Sequence, residues 1–403
     1  MIFLFYPFAA VLIFLGYKSL RSGIYYLQFF RQELAKPKSN FLPFSSIIVP
    51  CRGLDQNLHE NLTALFSQNY PNYEVIFVVD DENDESVKII KEVSRQGVKQ
   101  AKSKLAVAGK TTDSSQKVHN LREAVLRVSD ESEVFVFVDS DVRPDKDWLK
   151  NLIAPLKNEK IGCTTGYRWF ISKRGGFSSQ FRAVWNASIA SALSANQYGN
   201  FCWGGSLGIR RETFEKLEIR EKWRGTLSDD FVVTRRMQDA KLPIYFVPQC
   251  LTATVEDCTF RELLEFTTRQ LKITRVYAPN LWRASFVGSF LFTAVFWSGI
   301  LLLFFISGWH FWLIFVFIFV IFSLGAGKAW LRLTAAKLVL KDFEKELKRQ
   351  FLWQITLWTI SPALYFYNCF CALLSRKINW RGIEYNLLSP NSTKIISNNQ
   401  QTK

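Results

Sequence analysis

Three stretches of the chain carry no charge: residues 1–17, residues 284–327 (neutral His310 aside) and residues 351–375. A hydrocarbon core of ~30 Å needs ~20 helical residues. The first run, extended by Leu20, predicts one span. The second is long enough for two, with Ser307-Gly308-Trp309-His310 as the turn between them. The third predicts a span or, because Pro362 and Asn368 lie inside it, a re-entrant or in-plane path. Between Arg31 and Arg283, short apolar runs alternate with helical patterns. Strands are expected at Ser45–Pro50, Tyr73–Val79, 104–107 and 134–138, and helices over 57–68, 84–95 and 116–127. Further on, 161–169 and 201–209 read as strands and 230–240 as a helix. This alternation predicts an α/β domain with a mostly parallel sheet and helices on both faces.

Two segments have apolar residues at helical spacing with basic residues between them. In 259–277, Phe260, Leu263, Leu264 and Leu271 share a side with Arg261, Arg269, Lys272 and Arg275 interspersed. In 330–347 the apolar positions are Trp330, Leu333, Leu340, Phe343 and Leu347. Both are expected to lie in the membrane interface. The expected order is therefore an N-terminal anchor (1–20), a soluble domain (40–258), an interfacial helix region (259–283), two spans (284–327), a basic interfacial helix (328–349), a third apolar segment (350–375) and a polar tail (376–403). The end of that tail, 389–403, is expected to be disordered.

Charge fixes the orientation and removes several classes of function. Lys18 and Arg21 follow the first apolar run, so it reads as a signal anchor and not as a cleaved leader. The segment 328–349 carries seven basic residues against three acidic ones. Both sides point to a cytosolic soluble domain with the N-terminus outside. Lys plus Arg number 51 against 35 Asp plus Glu, a net +16. Topology and anionic lipid headgroups explain that excess, so no nucleic acid is expected as a partner. Apolar residues at 48% and aromatics at 15% exclude a disordered chain. His59, His119 and His310 are far apart, which excludes a His-ligated zinc enzyme. Seven cysteines without a CxxC read as reduced, buried thiols in a cytosol-facing protein. Gly109-Lys110-Thr111 is not a P-loop, because Lys104 stands where that motif needs glycine. Residues 204–208 do not make a GxGxxG.

In such sheets ligands bind beyond the carboxyl ends of the strands. Three strands end in polar clusters: Pro50-Cys51-Arg52-Gly53, Asp80-Asp81 and Asp139-Ser140-Asp141. These should meet in one crevice. Asp139 and Asp141, one residue apart at a strand end, can share a hard cation, Mg2+ or Mn2+, with a substrate diphosphate. Taken alone, the same pair is also what a solvated acidic turn looks like. Lys117 opens a helix where a cation could meet that diphosphate. Asp229 and Asp230 precede another helix. Adjacent carboxylates raise each other's pKa, which suits a general base; the plainer alternative is a helix N-terminal pair.

Together these residues resemble family-2 glycosyltransferases of the GT-A fold, and more narrowly the membrane-bound ceramide glucosyltransferases and their bacterial relatives. The resemblance covers roughly 45–283 and the flanking apolar segments. It rests also on Tyr70-Pro71-Asn72-Tyr73-Glu74-Val75, Gln116-Lys117-Val118-His119-Asn120-Leu121, Trp203-Gly204-Gly205 and Leu227-Ser228-Asp229-Asp230-Phe231. It implies a GT-A-like fold with Pro50, Arg52, Gly53, Asp80, Lys117, Gly204 and Gly205 on a nucleotide sugar, UDP-glucose being favoured. It further implies Asp139 and Asp141 on the metal, and Asp230, with Asp229 beside it, as the base of an inverting transfer to a membrane lipid. The family's (Q/R)xxRW motif falls on Arg269-Gln270-Leu271-Lys272-Ile273, which makes Arg269, Gln270 and Lys272 the candidates there. Lys272 replaces the planar fork of an arginine with a point charge, and Ile273 cannot stack as tryptophan does. That departure bears on the acceptor. Two other enzymes fit the same residues, a processive polysaccharide synthase and a transferase acting on a polyisoprenyl phosphate carrier. A membrane transporter or scaffold with a nucleotide-sensing domain is the non-enzyme alternative, but its spans should carry ionisable groups.

Overall fold

The computed structural model describes residues 2–97 and 101–398. They fall into two compact units interleaved along the chain. The first comprises Glu33–Phe170, Ala192–Glu256 and Arg376–Lys403. Its centre is a seven-stranded sheet built from β1 (Ser45–Pro50), β2 (Tyr73–Val79), β3 (Lys102–Val107), β4 (Val134–Phe137), β5 (Cys163–Ile171), β6 (Leu207–Arg210) and β7 (Ile244–Val255). The order across it is β3-β2-β1-β4-β6-β5-β7. β2 is buried along its whole length and β1 all but its last residue, as continuous apolar runs covered on both faces require.

The sheet is mixed, which corrects the mostly parallel sheet expected. β1 runs parallel to β2 and β4, and β2 parallel to β3. β6 runs antiparallel to both β4 and β5. An apolar run looks the same in either direction; the connection sets the sense. The reversal has a consequence for chemistry. In the β4–β6 register Phe137 faces Leu207, so the residues that precede β6 lie beside those that follow β4. Accordingly 201–206 is a turn and not the start of a strand.

The expected disordered tail is also corrected as far as Asn398. β8 (Lys377–Trp380), β9 (Ile383–Ser389) and β10 (Ser392–Asn398) form a second, antiparallel sheet in the order β10-β9-β8. Ile378, Ile383, Tyr385, Leu387 and Thr393 are buried. They are spaced among polar residues, so composition alone reads as tail while the period-2 alternation reads as strand. Residues 399–403 lie outside the described residues.

The second unit comprises Met1–Gln32, Ile171–Ser191 and Asp257–Ser375. Three of its helices, Phe3–Leu34, Pro279–Leu302 and Trp309–Val339, are long and apolar enough to cross a membrane. Small residues bring two of them together: a Cβ on Gly16 would lie 3.2 Å from Leu324, and one on Gly327 3.0 Å from Leu20. The basic segment 328–349 is not a separate helix. Its first part continues Trp309–Val339, because its charges are satisfied inside the bundle: Lys328 donates to Ser19 Oγ at 3.0 Å, and buried Arg332 to Gln354 Oε1 at 3.0 Å. The third apolar segment is broken. Lys341–Leu357 and Ser361–Leu374 meet at 73°, with Pro362 in the first turn of the second. Phe260–Tyr277 opens with a capping box between Thr259 and Glu262. Its apolar face is covered by protein: Leu263 and Leu271 pack with Trp282 and Leu364, and Thr267 and Thr268 both donate to Asn368 Oδ1.

Candidate active site

The carboxyl ends of β2, β1 and β4 stand side by side in the sheet, and their polar termini are cross-linked. Arg52, beyond β1, forms an ion pair with Asp80, beyond β2, at 2.7 Å. Burial raises the Asp80 pKa, with Arg52 partly offsetting it. Gly53 has φ 65, and its N–H donates to both oxygens of Asp84 at 3.0 and 2.9 Å; the left-handed backbone there favours glycine. Pro50 closes β1. Ser140, between the two aspartates beyond β4, donates to Asp55 Oδ2 at 2.5 Å.

Lys117 is the hub of the second cluster. Ser115 caps the helix Gln116–Ala124, accepting from the Val118 N–H, and the capped first turn carries the Lys117 ammonium. It lies 2.7 Å from Asp139 Oδ1 and 3.1 Å from Asp229 Oδ1. Arg168, on β5, lies 3.5 Å from Asp139 Oδ2 and 3.4 Å from Asp141 Oδ2. Its guanidinium is 4.8 Å from the centre of the Trp203 ring, a cation–π contact. Lys117 and Arg168 thus link Asp139, Asp141 and Asp229 in one cluster.

The three carboxyls of the cluster differ in acidity. Burial pushes the Asp139 carboxyl up, but Lys117 and Arg168 together hold it below its usual value. Burial raises Asp141 to about 6 against the pull of Arg168. Burial likewise raises Asp229 to about 6 against Lys117. For Lys117 the two aspartates outweigh burial and hold its proton more tightly than usual. Asp141 Oδ1 is buried with no hydrogen-bond partner. An orphaned carboxylate oxygen one residue from a second carboxylate fits a divalent cation, which needs one or two carboxylates when a diphosphate supplies further oxygens. Among the described residues no group of three or more His, Cys, Asp or Glu could hold such an ion unaided.

Asp229 and Asp230 begin the helix Asp229–Asp239 and face different surroundings. Asp229 is buried behind Lys117, 3% exposed. Asp230 is half-buried. Its Oδ1 accepts from Ser228 Oγ and, at 2.8 Å, from the Phe231 N–H, while Oδ2 accepts no hydrogen bond among the described residues. The glycines of Trp203-Gly204-Gly205 are set by close approach. A Cβ on Gly204 would lie 2.0 Å from Asp229 Oδ2 and 2.9 Å from Lys117 Nζ, and one on Gly205 would lie 2.2 Å from the Trp203 ring.

Pro50, Arg52, Gly53, Asp80, Lys117, Asp139, Asp141, Gly204, Gly205, Asp229 and Asp230 all belong to one unit. Arg269, Gln270 and Lys272 belong to the helical unit, on Phe260–Tyr277; the Arg269 guanidinium lies 5.6 Å from the Phe266 ring, and Ile273 is buried. Sequence reasoning missed Arg168, the one charge in the buried strand 163–171, and that charge was its only signal.

Residues 10–393 match the family described as glycosyl transferase family 21. Ceramide glucosyltransferases 3 and 1 of Caenorhabditis elegans are 26% and 24% identical over 206 residues, 49% of this chain. The match covers 43% and 42% of those proteins, so the chain spans less than half the length of these relatives. The structure of a mannosyltransferase from Pyrobaculum calidifontis, in complex with GDP-Man and Mn2+, aligns over 91% of this chain and 98% of that one, at 17% identity and a TM-score of 0.45.

Proposed function

The chain belongs to glycosyl transferase family 21, and from that premise we propose that it transfers a hexose, glucose from UDP-glucose, to the hydroxyl of a membrane lipid such as ceramide, with inversion at the anomeric carbon. The observation that carries the proposal is Lys117 bridging Asp139 and Asp229 at 2.7 and 3.1 Å. It joins the pair suited to a metal–diphosphate to the pair suited to a base. The fold is then GT-A-like, and the sugar nucleotide lies across the ends of β2, β1 and β4. Arg52, Asp80 and the Pro50–Gly53 loop hold the nucleotide. Asp139 and Asp141 would hold Mg2+ or Mn2+, which supplies Lewis-acid stabilisation to the departing diphosphate.

Lys117 and Arg168 neutralise the charge that gathers on the same side, and Asp229 fixes the Lys117 ammonium. Asp230 is the better base of the adjacent pair. One of its oxygens is held by Ser228 and Phe231, and the other is free to take the acceptor's proton. The acceptor oxygen then bonds to the anomeric carbon as the bond to the diphosphate breaks, and the nucleoside diphosphate leaves with that electron pair. With one base and no enzymic nucleophile, the configuration inverts. The choice of a lipid acceptor is supported by three helices apolar enough to cross a membrane in the same chain and by the similarity to the ceramide glucosyltransferases of Caenorhabditis elegans. Arg269, Gln270 and Lys272 are proposed for the acceptor side. The basic residues near the apolar helices support a cytosolic catalytic unit.

Asp230→Asn is the direct test. It should abolish transfer to lipid from labelled nucleotide sugar in membranes, while UDP binding stays measurable. Retained turnover would refute the base assignment.

A further inference from the structure

β8 and β9 are joined by the two-residue turn Arg381-Gly382, with both φ values positive, 49° and 78°. Trp380 and Ile383 pair across it. Two left-handed residues match the twist of the flanking strands and make a tight hairpin. The turn carries Arg381 to the loop that follows β1. Its guanidinium donates to the Arg52 carbonyl and, at 2.7 Å, to Asp55 Oδ1. The other oxygen of Asp55 accepts from Ser140, between Asp139 and Asp141. One side chain therefore ties the Arg52 loop to the loop of the metal pair.

The same small sheet makes two further contacts around the site. The hydroxyl of fully buried Tyr385 accepts the Gln116 N–H at 3.1 Å, one residue before Lys117. The carbonyl of Asn391, in the turn between β9 and β10, lies so near Gly225 that a Cβ there would be 2.6 Å from it. Gly225 stands just before Leu227-Ser228-Asp229-Asp230. The C-terminal sheet thus touches the chain beside three separate groups of site residues.

We propose that the C-terminal hairpin is a working part of the nucleotide-sugar site, with Arg381 as a positioning residue that holds the Arg52–Asp55 loop in the form that receives a nucleoside diphosphate. The inference rests on the donor reading given above. Arg52 can face Asp80 only while its own backbone is fixed, and Arg381 fixes that backbone at the carbonyl. Asp55, held on both oxygens, passes the same constraint to Ser140. Hydrogen bonds to charged groups of this kind are the stronger ones.

The test uses the full chain in detergent or nanodiscs and reads UDP affinity with Mn2+, donor KM, kcat and the thermal unfolding midpoint. Arg381→Ala should weaken UDP binding about tenfold or more and raise donor KM by a similar factor. The change in kcat should be smaller, and the unfolding midpoint should fall only by the few degrees that losing one charged hydrogen bond costs, with the protein still folded at the assay temperature. Arg381→Lys keeps the charge but not the fork, and it should recover part of the affinity. Wild-type UDP affinity in a folded Arg381→Ala protein overturns the inference and leaves the donor reading standing. A wild-type protein that binds no nucleoside diphosphate overturns both. If Arg381→Ala does not fold, Asp55→Asn reads the same contact from its partner; the same donor-side loss is expected, and unchanged affinity there overturns the inference.

Discussion

Lys117 touches two aspartates that respond to it differently. Asp139, which Arg168 also meets, keeps its pKa below the usual carboxylate value, whereas burial lifts that of Asp229 to about 6 from 3.8. The sign of the consequence follows from proton linkage. Below about pH 4 Asp229 is protonated in both the folded and unfolded chain. Between there and about 6 the folded chain keeps a proton that the unfolded chain has lost, so this group's contribution to stability falls as pH rises. Asp229→Asn mimics the neutral form and lacks that fall. The unfolding midpoint of the wild type, measured without divalent metal, should therefore decline relative to Asp229→Asn as pH goes from 4 to 7; a constant difference would place Asp229 at an ordinary acidity. Asp139, Asp141 and Lys117 were legible because acidic and basic residues at strand and helix ends stand out against apolar runs. Arg168 and Arg381 were not. One lies inside a strand and the other in what reads as a tail, and only the folded chain brings each to a carboxylate.

Single elements were legible where burial on both faces forces a continuous apolar run, as in β1 and β2. They were not where one run serves two purposes. In 201–209 the apolar residues suggest a strand throughout, yet only Leu207–Arg210 is one. Trp203-Gly204-Gly205 is a turn set beside Asp229 by the antiparallel entry of β6. Basic residues likewise suggest a break near 328 that does not occur, because Ser19 and Gln354 accept from Lys328 and Arg332. The turn before β6 is testable through Gly204→Ala. The added methyl meets a carboxylate oxygen of Asp229 at 2.0 Å and the Lys117 ammonium at 2.9 Å, so either the turn or the ion pair must move. Overpacking of this kind costs about 1–3 kcal/mol. Transfer should fall at least about tenfold, the equivalent of 1.4 kcal/mol or more, with a lowered unfolding midpoint. Full activity would mean that the turn has more room than this geometry gives it.

At the scale of the whole chain, the two units are threaded through one another in sequence. The sheet-bearing unit is assembled from Glu33–Phe170, Ala192–Glu256 and Arg376–Lys403. A single boundary near 258 therefore does not isolate it, because the last segment carries a sheet of its own. That segment escapes a reading by hydropathy since its buried residues, Ile378, Ile383, Tyr385 and Leu387, are diluted by polar neighbours on the opposite face. Its removal by a stop after Ser375 should be felt in the sheet-bearing unit. Four apolar side chains lose their burial, each worth at most about 1.5–3 kcal/mol. The Gln116 N–H loses its acceptor on Tyr385, and an unpaired buried donor costs about 1–3 kcal/mol. The helical unit contains no residue of the deleted segment and should keep its helix content by circular dichroism. The truncated protein should therefore unfold at lower temperature and lose UDP binding while its membrane helices remain intact. If it bound UDP with full affinity, the second sheet would be dispensable to the fold of the sheet-bearing unit, and the contacts of Arg381 and Tyr385 would be packing without consequence.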